Sequence, residues 1–211
     1  MSSKYYAIIS IRKGHERLDV TQRHDPASAK DFLRMIGHSR HAYAGEIAPS
    51  RWTDSDLVIF ANDSGVLAQG FGLALDMAVG SSKSDRAARE NVRVLALAYN
   101  DQCLIDAFSY YEHGVLVRRV IEMDGDERSD VVMEGDLLPE EIDAIVRSAA
   151  EADLESDRRS EFMVDGKTYA IEGFVPLRGC SLEIAKRLGV DLDSMPAESS
   201  LYAAKPWWKR W

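Results

Sequence analysis

Gly65, Gly70 and Gly72 follow the apolar run Leu57 to Ala61, and a glycine-rich turn from strand to helix is where backbone N–H groups can gather around a phosphate. The spacing does not sustain that chemistry. A phosphate loop requires Lys and then Ser or Thr after its last glycine, whereas Phe71 follows Gly70, and the dinucleotide pattern G-x-G-x-x-G is missing. Ser64 in the same turn would be presented as a nucleophile if glycines stood at 62 and 66, but Asn62 and Val66 occupy those places. A helix cap at Asp63 or Ser64 accounts for the same residues. No catalytic residue is assigned, and an enzyme acting on a small molecule near the Gly65–Gly72 turn stays open as the alternative reading.

Metal chemistry is tested in the same way. Asp124-Gly125-Asp126-Glu127-Arg128 begins like a calcium loop, then places Arg128 at position five, Ser129 where glycine makes the sharp turn, and Gly135 where a bidentate glutamate belongs. His38 and His41, with His24 nearby, could hold zinc, yet the pair falls where a helix ends and no cysteine or acid accompanies it at ligand spacing. Cys103 and Cys180 stand far apart in apolar contexts and read as reduced core residues. The expectation is a protein with no metal and no cofactor. Leu182 to Val190 imitates the first helix and turn of a DNA reader, but Asp191-Leu192-Asp193-Ser194-Met195-Pro196 follows, which puts negative charge and a proline where a recognition helix is needed. Nucleic acid is therefore not an expected partner.

The elements that position these residues read as a mixed α+β fold, with a largely antiparallel sheet covered by about four helices. Residues 5–11 read as a strand, turning at Lys13-Gly14 into a short partner around Leu18 to Thr21. Asp25 caps a helix that Pro26 opens and Gly37 closes, with Ala29, Phe32, Leu33 and Ile36 as its stripe. Leu57 to Ala61 is a strand, and the apolar stretch Val66 to Val79 reads as a helix despite two internal glycines. Three strands follow in a meander, Val92 to Tyr99, Cys103 to Tyr111 and Val115 to Met123. The continuous run Val94 to Ala98 implies burial on both faces. Pro139 opens a helix whose first turn carries Glu140 and Glu141, Asp165-Gly166 joins a hairpin, and a last helix runs from Ser181 to Gly189. Residues 1–200 form one domain and 201–211 a tail. No segment reaches the roughly 20 apolar residues of a membrane span and no signal peptide is recognisable, so a cytoplasmic protein with no membrane contact is expected.

Charge is distributed unevenly. From Glu122 through Asp157, fourteen acids meet two arginines, a balance of minus twelve, and the chain as a whole carries −9. Concentrated charge steers a basic partner where dispersed charge does not. Asp124, Asp126, Glu127, Asp130, Glu134 and Asp136 are the expected centre of such a face, the alternative being a solvated surface kept soluble by its charge. Trp207, Trp208 and Trp211 lie beside Lys205, Lys209 and Arg210 and are expected to dock on the domain itself, on a second copy, or on a partner.

Tyr110-Tyr111-Glu112-His113-Gly114-Val115-Leu116-Val117-Arg118-Arg119, followed by Glu134-Gly135-Asp136-Leu137-Leu138-Pro139-Glu140-Glu141, resembles a hairpin-and-helix pattern in uncharacterised bacterial proteins, some of which look like immunity partners of polymorphic toxins. The resemblance implies a stoichiometric inhibitor without catalytic residues, acting on a basic protein partner such as a toxin. A protein-binding module is the resulting expectation.

Overall fold

Ile8, Ala68, Val94 and Ala96 alternate along their strands with Ile9, Leu67, Leu95 and Leu97, and each set meets a different hydrophobic core. Period-two alternation sends successive side chains to opposite faces, so a sheet apolar on both must be covered twice. The computed structural model describes residues 4–47, 56–100, 105–123, 131–151, 159–172, 179–193, 196 and 198–204. In chain order the elements are β1 (Lys4–Ile11), α1 (Pro26–Ile36), β2 (His41–Ile47), β3 (Leu57–Asn62), β4 (Gly65–Gln69), α2 (Phe71–Ala78), α3 (Ser82–Glu90) and β5 (Arg93–Asn100). There follow β6 (Ile105–Glu112), β7 (Val115–Met123), β8 (Val132–Gly135), α4 (Pro139–Glu151), β9 (Arg159–Val164), β10 (Lys167–Glu172), α5 (Cys180–Arg187) and β11 (Ser199–Ala204).

The fold is α+β. Nine strands form one sheet in the order β2-β11-β3-β4-β1-β5-β6-β7-β8, and every described pairing is antiparallel. Helices α1, α2 and α3 cover one face, where Ala61, Ala68, Ala96 and Ala107 let them approach closely. On the other face α5 packs with Leu18, Leu138 and Val190, and α4 with the β9–β10 hairpin builds a smaller core around Ile145, Phe162, Ile171 and Cys180. Among the described residues no helix is long and apolar enough to cross a membrane.

Several expectations are corrected. Residues 18–21 form no strand; Leu18 instead packs into the second core and donates its N–H to Leu188. The helix expected from Val66 to Val79 starts only at Phe71, because Val66 to Gln69 belong to β4, joined to β3 across Asp63-Ser64. Gly65 is obligatory in that hairpin, since a Cβ there would lie 2.1 Å from the Ser10 carbonyl oxygen. Among the described residues five helices stand where about four were expected, and α3, which Ser81 starts with a capping box, is the one not foreseen. The tail begins no earlier than residue 205, because β11 carries 199–204 into the sheet between β2 and β3.

Candidate functional site

Described acids of the charge-rich stretch meet arginines at one end of the sheet. Arg118 and Arg119 are neighbours on β7 and so leave it on opposite faces. Arg118, 3 % exposed, donates from Nε to both carboxylate oxygens of Glu141 at 3.1 and 3.0 Å and from Nη2 to Oε1 at 2.8 Å. Its Nη1 reaches the Gly135 carbonyl at 2.9 Å, and Glu141 Oε2 also accepts the Leu138 N–H at 3.0 Å. One buried guanidinium thereby ties β7, the end of β8 and the first turn of α4 together. Arg119 holds β8 from the other side, through Nη1 to Glu134 at 2.6 Å, Nε to Ser109 Oγ at 2.9 Å and Nη2 to Tyr111 Oη at 3.1 Å.

A second arginine cluster lies behind this one. Arg187 of α5 donates to Glu140 at 2.6 Å while its guanidinium carbon sits 5.3 Å from the centre of the Tyr110 ring. The Tyr110 hydroxyl donates to Glu112, which also accepts from Arg93 Nε at 3.0 Å. Burial, reinforced by the bond to Glu112, raises the Tyr110 hydroxyl above the ordinary phenol range, and that same bond, with Arg93 beside it, lowers Glu112. Neither group is poised for proton transfer near neutral pH.

The structure divides the expected acidic face. Asp124, Asp126, Glu127 and Asp130, like Trp207, Trp208 and Trp211, lie outside the described residues. Glu134 sits on β8 and the exposed Asp136 just beyond it. Glu134, Glu140 and Glu141 are paired with Arg119, Arg187 and Arg118, none of which falls within 122–157, so three of the fourteen acids of that stretch are balanced by arginines from outside it. Glu122 is buried, while Asp136 and Asp143 stay exposed. Strand β8 ends the sheet, all four of its residues are exposed, and its outer side pairs with no strand among the described residues.

Ser64 is buried, its hydroxyl donating to Asn62 Oδ1 at 2.6 Å and accepting the Asp19 N–H at 2.8 Å, so it closes a turn and is not offered to a substrate. Gly70 precedes α2, and a Cβ on it would meet the Asp56 carbonyl oxygen at 3.0 Å. His24 is separated from the other two histidines: it is buried, Nδ1 accepts the Ala61 N–H at 3.0 Å, and the remaining Nε2–H therefore donates to Ser200 Oγ at 2.9 Å. His38 and His41 do meet, with ring centroids 5.0 Å apart and Nε2 of His38 2.8 Å from Nδ1 of His41. Among the described residues no group of three His, Cys, Asp or Glu could hold a metal ion. Sequence reasoning missed the Arg118–Glu141 pair, whose only signal was an Arg-Arg step leaving a hairpin and a Glu-Glu step opening a helix. No known protein family, no curated protein and no solved structure matches this chain.

Proposed function

We propose that this protein is a protein-binding module that takes a basic partner along β8 and the acidic residues on either side of it, most concretely as an immunity-type stoichiometric inhibitor of a toxin. The observation that carries the reading is β8 itself: an exposed terminal strand with Val132 43 % and Met133 37 % exposed, anchored from both faces by Arg118 and Arg119. A strand edge left unpaired among the described residues offers main-chain hydrogen bonds to an added strand, the apolar side chains give it contact area, and the acids of 124–136 would supply the charge that steers a cationic segment to it. A toxin with an anionic substrate has a cationic site, and blocking that site needs an acidic, rigidly held surface.

The small-molecule enzyme near Gly65–Gly72 has less support, because Asn62, Ser64 and Gly65 are committed to a tight hairpin against β1. The test is to isolate the partner from the native cell and measure association kinetics of D124K/D126K and of V132K/D136K at low and high salt. Slower association with a weaker salt dependence is expected for the first pair, and faster dissociation for the second. Parent-like kinetics from folded variants at both ionic strengths would reject the reading.

A further inference from the structure

At the far edge of the sheet, a cleft of about 680 Å³ opens between α1 and the β2–β11 pair. It lies eight strand spacings from β8, about 38 Å at roughly 4.8 Å each, and is independent of the protein-binding reading. Its volume falls in the ~300–1,000 Å³ range of small-ligand sites. The wall is apolar and aromatic: Leu33 and Tyr202 are buried, and Tyr43, 55 % exposed, meets Tyr202 edge-on with centroids 5.7 Å apart. Lys30 and Arg34 lie one helical turn apart on α1 and both line the opening. Arg34 pairs with Asp31 at 3.0 Å, but both side chains are mostly in solvent, so that pair holds it weakly. Among the described residues no Asp or Glu lines the cleft, which disfavours a cation.

The histidine pair also lines the cleft. In His38, Nε2 is engaged with His41, and Nδ1 is buried with no hydrogen-bond partner among the described residues.

We infer that this cleft binds a small molecule with a flat aromatic body and a single anionic group, the ring against Tyr43, Tyr202 and Leu33 and the anion between Lys30 and Arg34. A carboxylate and a phosphate monoester share this chemistry. Titration calorimetry of the full chain with 2-naphthoate and with 2-naphthyl phosphate distinguishes them, and 2-naphthol is the neutral control. Binding of at least one anion is expected, with 2-naphthol weaker by roughly tenfold, and with Lys30→Met, Arg34→Met and Tyr43→Ala each weakening the anion several-fold. These three side chains are exposed, so the variants keep the fold. The inference is overturned if neither anion binds at millimolar concentration, if 2-naphthol binds as well as the anions, or if the three variants bind like the parent.

Discussion

Replacing Arg118 with Ala tests the anchoring of the sheet edge most directly. The substitution removes both bonds that Nε makes to Glu141, the Nη2 bond to Oε1 and the Nη1 bond to the Gly135 carbonyl, and among the described residues it leaves Glu141, 1 % exposed, with the Leu138 N–H as the remaining partner of its carboxylate. Stranding one member of a buried pair costs about 3–5 kcal/mol, chiefly because the surviving charge is desolvated without compensation. At about 2–4 °C per kcal/mol for a chain of this size, Tm should fall by roughly 6–20 °C. Arg118→Lys should recover only part of the loss, since an ammonium keeps the charge but cannot form the planar fork. The double variant R118M/E141L should return to within about 2 kcal/mol of the parent, because apolar replacement of a buried pair is close to neutral. Urea unfolding at constant pH, followed by far-UV circular dichroism, measures the three variants against the parent. A loss below about 1 kcal/mol for Arg118→Ala, or a double variant less stable than Arg118→Ala, would refute the argument that this pair is a buried clamp.

Asp25→Ala should cost about 1 kcal/mol, since the Asp25 carboxylate accepts the N–H groups of Ala27 at 3.0 Å and Ser28 at 3.2 Å; an unchanged urea midpoint would contradict this. Burial, with Glu141, Asp106 and Glu140 nearby, pushes the Cys180 thiol up to about 12, so in a Cys103→Ser background native protein at about pH 8 should resist maleimide until it unfolds; fast native labelling would argue against it. Burial, with His41, Lys83 and Arg40 facing it and Asp76 opposing, lowers His38 from 6.5 to about 4. Between those values the unfolded chain binds a proton that the native chain does not, so His38 makes stability fall as pH drops from 6.5 towards about 4. His38→Gln should flatten that part of the urea-midpoint profile, and identical profiles would exclude the effect. Excess chelator should leave Tm unchanged, and a drop of many degrees would reveal a bound structural metal.

The parts of the fold legible in the sequence are those decided by a few adjacent residues. Helix α1 is bounded by Asp25, whose side chain caps it, and by Gly37, which turns left-handed at φ 71°. His113-Gly114 and Asp165-Gly166 both take positive φ and make hairpins where their order along the chain demands them. What was not legible depends on distant partners or carries little apolar pattern. Helix α3 buries Ser84, Ala87 and Ala88, side chains too small for an apolar periodicity to register. Strand β11 enters the sheet between β2 and β3, more than 130 residues from either, and neither its sequence nor that of β2 alternates clearly. In β4 the short apolar run Val66 to Ala68 fits a strand or a buried helix equally, and the turn before it places its glycine after the two loop residues rather than within them.

The candidate sites failed to declare themselves for a related reason, which is that charge and spacing were summed along the chain while the fold sums them in space. Counting acids from Glu122 to Asp157 overlooks Arg118, Arg119 and Arg187, because a sheet neighbour and a late helix bring those cations back to the same place. The acids paired with these arginines are the ones that fix β8 and α4, and exposed Asp136 and Asp143 are left to face solvent. The histidines illustrate the converse. Three of them within a short stretch suggested one ligand set, but β3 draws His24 into the core through Ala61, while the end of α1 and the start of β2 stack His38 on His41 beside a cleft that no local motif encodes. In both cases the grouping that matters is made by strand order, so it becomes readable only once β7 is seen next to β8 and β2 next to β11.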